Sequence, residues 1–414
     1  MNNLNEFTNI PKEVYDLSTQ AIEVIKKYVH KTPMISIASL NEEVGKSVML
    51  KLENMQKTGS FKVRGALFKI HRLLERMNLK GVVTASSGNH AQGVAYAAKA
   101  FGVRAVIVMP ETASPTKVNA TKSYGAEVVL HGKIYDDAYT RALTIAFEKG
   151  YEFIHPFDDV EVIAGQGTVA LEIVDEVGCP DEVLIPVGGG GLASGVAVVI
   201  KNLCRNSRVI GVQPLVASTM KHFLRGEVSY VPHYSIADGV VVKRPGEITS
   251  KIIRAFVDDI VLVDEEHISR AIFFLLERGK IIVEGAGALA IAALLSKMHE
   301  PRGDFITAVI SGGNIDPPLL SRIIMHEMAK AGRLVTIEGV VDDKPGVLHD
   351  VLEVLAINNI NVVDVRHDRY SPQMLPTKAI VEIVFEALSY SSVEDALRSL
   401  EKKGFKFKVK HLAY

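Results

Sequence analysis

Four short segments carry side chains, or bare backbone, of the kind that performs chemistry. The first is Thr58-Gly59-Ser60-Phe61-Lys62-Val63-Arg64-Gly65-Ala66. Thr58 or Ser60 is expected to cap a helix running on through Lys69, His71 and Leu74, with Lys62 in its first turn. A cation is disfavoured at the positive end of a helix dipole, so this position favours the neutral amine needed for Schiff-base formation or proton abstraction. A solvated lysine on a helix face is the competing reading. The second segment, Ser86-Ser87-Gly88-Asn89-His90-Ala91, follows an apolar strand and opens a helix of small residues, Gln92 to Ala100. Its free N–H groups suit a carboxylate, although a Ser-capped helix holding a packed histidine has the same appearance.

The third segment, Val187-Gly188-Gly189-Gly190-Gly191-Leu192-Ala193-Ser194-Gly195, lies between a buried strand and a helix. Without Cβ atoms, successive N–H groups can converge on a phosphate. Gly188, Gly190 and Ala193 also satisfy a dinucleotide fingerprint. That site wants a carboxylate at the end of the next strand, and the strand Val209 to Val212 is followed by Gln213, which favours a lone phosphate. The fourth is Ser311-Gly312-Gly313-Asn314, where a hydroxyl at a strand end, freed from crowding by two glycines, can reach an aromatic nitrogen.

Positioning these segments requires strand ends. From Glu13 to Gly332, β-branched runs alternate with longer amphipathic stretches; examples are Gly81–Ala85, Ala105–Met109, Glu127–Leu130, Val183–Val187 and Ile306–Ile310. This is the pattern of parallel strands joined by helices, in which ligands collect at the carboxyl ends. After Gly332, strands at Leu334–Val341, Asn361–Arg369, Ala379–Phe385 and Phe405–Lys410 and helices at Gly346–Ile357 and Ser391–Lys403 make a β-α-β-β-α-β order, a ferredoxin-like sandwich. Met328 to Arg333 reads as the linker.

The chain of 414 residues suits two or three domains. A net charge of -1 gives no footprint for nucleic acid or an anionic membrane, leaving small molecules and protein subunits as partners. Two cysteines, Cys179 and Cys204, argue against a disulfide framework and a multi-cysteine metal site, and a reducing, cytoplasmic setting is expected. Met1 to Pro11 reads as neither signal nor transit peptide, and no apolar run reaches membrane-spanning length.

Taken together in this order, the lysine, the Ser-Ser-Gly-Asn-His turn, the tetraglycine loop and the late Ser-Gly-Gly-Asn resemble the fold-type II pyridoxal-phosphate enzymes. The words Lys51–Gln56, Ala164–Thr168, Ala237–Val240 and Glu284–Ala288 are similar to those of threonine dehydratases, also called threonine ammonia-lyases, and the likeness covers most of residues 13–330. The turn at Asp342–Leu348 is similar to that of an ACT domain. The implied fold class is α/β, tryptophan-synthase-beta-like, with two open sheets and a C-terminal ferredoxin-like ACT domain. Residues 1–331 would form the catalytic region (large subdomain about 1–50 and 152–331, small subdomain about 51–151) and 332–414 the regulatory one.

By that resemblance, Lys62 bears pyridoxal 5'-phosphate, Phe61 packs by its ring and Asn89 meets its phenolic oxygen. Gly188, Gly189, Gly190, Gly191 and Leu192 hold its phosphate, and Ser311 faces its pyridine nitrogen. Ser86, Gly88, Asn89 and His90 receive the substrate carboxylate. The activity implied is conversion of L-threonine to 2-oxobutanoate and ammonia, and of L-serine to pyruvate, with an amino-acid effector such as isoleucine or valine at the ACT domain and a homo-oligomeric assembly. A hydroxyl at the pyridine nitrogen cannot hold it charged as a carboxylate would, so elimination should outrun reprotonation.

Ser87 stands where serine racemases of this fold place a second acid/base serine, which makes racemisation the alternative. A silent amino-acid sensor and a nicotinamide dehydrogenase are the remaining competitors, weakened by the intact lysine, glycine loop and Ser311, and by Gln213, respectively. Relatives bind a divalent cation near Gln213 and Ala217. Glutamine there removes a hard anionic ligand, so no metal site is expected, while a monovalent ion stays open.

Overall fold

A computed structural model describes residues 2–227, 230–387 and 390–411. The chain falls into two compact units that divide between Asp316 and Pro317. The division precedes the helix Pro317–Lys330, whereas the change in sequence character follows it.

The first unit contains strands β1 (Met34–Ser36), β2 (Ser47–Leu52), β3 (Val82–Ala85), β4 (Ala105–Met109), β5 (Glu127–Leu130), β6 (Glu152–Phe153), β7 (Glu182–Pro186), β8 (Arg208–Pro214), β9 (Asp259–Val263) and β10 (Phe305–Ile310). They form a six-stranded sheet in the order β1-β2-β10-β7-β8-β9 and a four-stranded sheet in the order β5-β4-β3-β6. Among the described residues of these two sheets, only the β1–β2 pair of strands is antiparallel. Central strands β3, β4 and β7 are buried along their whole length, as expected when helices cover both faces, while edge strand β5 is part-exposed. The two sheets are joined by the helices Lys62–Arg76 and Val160–Val177, which cross at Gly65 and Gly165; a Cβ on Gly165 would lie 2.6 Å from the Gly65 Cα.

Beneath that crossing lies a buried quartet of charges. Arg64 forms two-pronged bonds to Glu53 (2.7 and 2.8 Å) and to Glu172 (2.7 and 2.8 Å). Lys51 lies 2.7 Å from Glu172 and donates to the Thr32 carbonyl at 2.7 Å. Burial pushes the Glu172 carboxyl up, but the bonds from Arg64 and Lys51 outweigh it and hold the group below its ordinary value. The two cations and two anions cancel, so charges placed here are fully paired.

The second unit has β11 (Leu334–Asp342), β12 (Asn361–Asp368), β13 (Lys378–Glu386) and β14 (Phe407–His411) in an antiparallel sheet ordered β12-β13-β11-β14, with helices Val347–Ile357 and Tyr390–Lys402. Alternating β13 residues Ala379, Val381, Ile383 and Phe385 face its core with Val351, Leu355, Ala396 and Leu400.

Two expectations are corrected. Cys179 and Cys204 are joined in a disulfide, with Cα atoms 5.5 Å apart, tying the ends of the helices Val160–Val177 and Gly191–Leu203. The packing of those two helices brings the cysteines together, which their linear separation does not reveal. Neither Thr58 nor Ser60 caps the lysine helix. Phe61 occupies the capping position with no side-chain bond, and the Thr58 and Ser60 hydroxyls are buried without partners among the described residues, because Ser60 is instead held by a backbone bridge to Gly312.

Candidate active site

Each of the four segments lies at the carboxyl end of a parallel strand or against one, and hydrogen bonds tie them together. Lys62 is the first residue of the helix Lys62–Arg76. Its entry loop is clamped to the turn after β10: the Phe61 N–H donates to the Ser311 carbonyl (3.2 Å), the Gly313 N–H to the Gly59 carbonyl (2.9 Å), and Asn314 Nδ2 to the Thr58 carbonyl (2.8 Å). The Lys62 Nζ donates to the Pro156 carbonyl at 2.9 Å and lies 5.2 Å from the centroid of the Phe61 ring. Burial pushes this amine down to about 8, against a smaller opposing pull from Glu284. Ser311 is buried, with 2 % of its surface exposed.

The turn after β3 begins with the Ser86 N–H bonded to the Val108 carbonyl (3.1 Å), and the Ser86 hydroxyl accepts from the Gly88 N–H (3.2 Å). Ser87 is half-buried between them. The helix Asn89–Ala100 starts here, so its first N–H groups face out of the turn. His90 is buried and pushed down to about 3, by burial first and by Lys62 second. It is therefore neutral at working pH, and its Nε2 meets the Ile154 carbonyl at 3.0 Å. Gly93, one turn on, would bring a Cβ to 3.1 Å from the Lys62 carbonyl carbon, so this helix fixes where Lys62 begins.

The tetraglycine loop leaves β7 and enters the helix Gly191–Leu203, with Gly190 in the left-handed region at φ 97°. Space is the reason for the run. A Cβ at Gly188 would lie 2.9 Å from the Val240 Cα, and one at Gly189 would lie 2.3 Å from the Phe157 ring. Thr249 anchors the loop, its hydroxyl donating to the Gly189 carbonyl at 2.6 Å. Asp158 in turn caps the helix Glu247–Phe256, accepting from the N–H groups of Glu247 (2.9 Å), Ile248 (2.9 Å) and Thr249 (3.1 Å). Leu192 is buried beneath. Substituting Gly189 by alanine is expected to displace either the loop or Phe157 and to raise the dissociation constant of a phosphate-bearing ligand about 10- to 100-fold, the equivalent of one bond to a charged group. Fluorescence titration of ligand-free protein measures it.

Residues 155–158 escaped the sequence reading. His155 accepts from the N–H groups of Phe157 (3.2 Å) and Asp158 (2.8 Å) through Nδ1, shaping a turn that supplies the Pro156 carbonyl to Lys62 and the Phe157 ring to Gly189. The signal available was position, since the turn follows β6, another parallel strand end. Glu284 escaped too: it is buried and accepts from Asn89 Nδ2 at 2.6 Å. Gln213 is buried and spent on structure, its Nε2 donating to the Val187 carbonyl (3.0 Å) and its Oε1 accepting from the Lys221 N–H (3.0 Å).

Comparison with known proteins decides the family. The model of the pyridoxal-phosphate dependent enzymes matches residues 25–312, and that of the ACT domain matches residues 335–402. The chain belongs to the pyridoxal-phosphate dependent enzymes and carries a C-terminal ACT domain. It is 43 % identical over 394 residues to an L-threonine ammonia-lyase of Thermotoga maritima, covering 94 % of this chain and 98 % of that one. Among solved structures, the processed form of threonine deaminase isoform 2 from Solanum lycopersicum is 37 % identical with a TM-score of 0.71, covering 75 % of this chain and 92 % of that chain. Maize serine racemase is 35 % identical with a TM-score of 0.71, covering 77 % and 98 %. The family's cofactor fits the residues present, with a lysine amine shifted toward neutrality on one side and a bare-backbone cradle at a helix start on the other.

Proposed function

We propose that this protein is a threonine ammonia-lyase, converting L-threonine to 2-oxobutanoate and ammonia and L-serine to pyruvate, under amino-acid control through its ACT domain. The observation that carries the reading is the breadth of the likeness. The L-threonine ammonia-lyase of Thermotoga maritima is 43 % identical over 94 % of the chain, a span that takes in both the catalytic region and the ACT domain. An amino-acid effector is proposed near the turn between β11 and the helix Val347–Ile357, where Gly346 adopts φ 94°. A cytoplasmic homo-oligomer belongs to the same proposal; the Cys179–Cys204 bond removes the cysteine argument for a reducing compartment, and the assembly rests on the tendency of ACT domains to pair.

When bound, the cofactor withdraws electrons from the carbon beside the substrate amine. Lys62 would hold it and, once free, would serve as the neutral base that takes the proton from that carbon. The N–H groups of Gly188, Gly189, Gly190, Gly191 and Leu192 would hold the phosphate. Phe61 would flank the ring, Asn89 would donate to the phenolic oxygen, and Ser311 would meet the pyridine nitrogen without holding it charged. The turn Ser86-Ser87-Gly88-Asn89-His90 binds the substrate carboxylate, with neutral His90 bracing it through Ile154 rather than adding charge.

A second reading rests on Ser87, a hydroxyl in this turn that could deliver a proton from the face opposite Lys62, as racemisation requires. Incubation with L-threonine and L-serine separates the two. Release of 2-oxoacids with ammonia in equal amounts is expected; D-amino acid formed without 2-oxoacid would overturn the lyase reading.

A further inference from the structure

The amide of Asn89 is held at both ends. Its Oδ1 accepts from Asn314 Nδ2 at 2.7 Å, and its Nδ2 donates to Glu284 Oε1 at 2.6 Å. Asn314 cannot reverse, because its Nδ2 spends both hydrogens on carbonyl-type acceptors, Asn89 Oδ1 and the Thr58 carbonyl. Glu284 is fixed as well. It stands immediately before the helix Gly285–Leu295, its own N–H donates to the Gly312 carbonyl at 3.1 Å, and a Cβ on Gly312 would lie 2.2 Å from its Oε1. With Oδ1 turned to Asn314 and one Nδ2 hydrogen on Glu284, the one donor that Asn89 has left is its second N–H.

We propose that Glu284 is a positioning residue for the cofactor, locking the Asn89 amide so that an N–H, never its carbonyl, faces the phenolic oxygen of the ring. The inference rests on the reading, given above, that Asn89 meets that oxygen. An N–H there stabilises the oxygen as phenolate, whereas a reversed amide would set two electron-rich oxygens against each other.

The lock is sensitive to protons. Burial and the nearby Asp238 carboxylate push Glu284 up to about 7, opposed by the Asn89 bond, Lys117 and the Asn314 N–H. The charged groups around it are Lys62 at the start of its helix, and Lys117 with its partners Asp238 (2.8 Å) and Asp316 (3.7 Å). Burial weakens the Lys117 ammonium, yet Asp238 and Asp316 keep it above its ordinary value, so it stays charged throughout; with Lys62 taken up by the cofactor, Glu284 is the group of this cluster that changes near neutrality. A protonated Glu284 accepts less strongly from Asn89, which loosens the amide as pH falls through 7.

The test uses full-length enzyme loaded with pyridoxal phosphate. The readout is the ratio of the visible band, which reports the phenolate form, to the near-ultraviolet band, followed from pH 6 to 9 without substrate. Wild type is expected to lose visible absorbance as pH falls through about 7. Glu284→Ala is expected to lower the ratio about tenfold at pH 8, the equilibrium equivalent of one hydrogen bond to a charged oxygen, to show no step near 7, and to match Asn89→Ala. Glu284→Gln keeps an acceptor of the same shape, so the expected result is the wild-type ratio at pH 8 with no step near 7. A step retained in Glu284→Gln, or a wild-type ratio in Glu284→Ala beside a lowered one in Asn89→Ala, overturns the positioning role and leaves Asn89 in place. A wild-type ratio in Asn89→Ala overturns the Asn89 assignment itself, and the proposal with it.

Discussion

Lys62→Ala is expected to lower 2-oxoacid release from L-threonine by at least about 10³-fold, the scale of a lost positioned base, and to remove the visible band of the loaded enzyme. Kinetics and a spectrum on the same preparation check both. At the start of the helix Lys62–Arg76, Lys62 is half-buried, and desolvation holds its amine at about 8 rather than 10.5. Loading of cofactor-free protein with pyridoxal phosphate should therefore accelerate as pH rises through about 8, where an ordinary lysine would respond near 10.5. The same shift fixes the sign of a stability change. Between the folded value near 8 and the unfolded value of 10.5 the unfolded chain binds the extra proton, so the cofactor-free enzyme gains stability from this group as pH rises across that window. A loading rate that keeps rising only toward 10.5 would show that Lys62 is solvated and would remove the reason for treating it as the base.

The largest stability effect is expected at Arg64. Arg64→Met deletes the cation that bridges Glu53 and Glu172 and leaves two buried carboxylates facing Lys51 alone. Breaking a buried ion pair from one side costs about 3–5 kcal/mol. That corresponds to a fall in Tm of roughly 6–10 °C at about 2 °C per kcal/mol, measurable by calorimetry on cofactor-free protein. Lys31→Met, which breaks the exposed 2.7 Å pair with Asp175, provides the contrast and should change stability by less than about 1 kcal/mol. Comparable shifts for the two would mean that water reaches the quartet. Because Arg64 lies two residues beyond Lys62 on the same helix, its loss is also expected to slow cofactor loading.

Much of the architecture was legible before any coordinates. Ala105–Met109 and Glu127–Leu130 are strands over the residues their periodicity indicates, and the β-α-β-β-α-β order after Gly332 holds with ends moved by a residue or two. These features follow from local pattern: β-branched runs, side-chain period and glycines where the backbone must bend. The same logic marked the segments around Lys62, Asn89, Gly188 and Ser311, because strand-to-helix turns advertise themselves by residue type.

What local pattern could not supply were pairings between distant residues. The Cys179–Cys204 bond depends on two helices packing side by side, and the charge quartet joins residues 51, 53, 64 and 172. The expectation that a hydroxyl caps the lysine helix failed because the loop is claimed by the strand bridge Ser60 to Gly312, a contact between chain positions far apart. Glu284 was visible as a letter in a familiar word, but its partnership with Asn89 exists only where segments far apart in the chain meet. The sequence by itself determined which elements form and which turns carry reactive groups, since those depend on neighbours a few residues away. Tertiary structure alone decided how far Lys62 is shifted from an ordinary lysine and which way Asn89 points, since burial and fixed hydrogen-bond partners arise only when remote segments close around them.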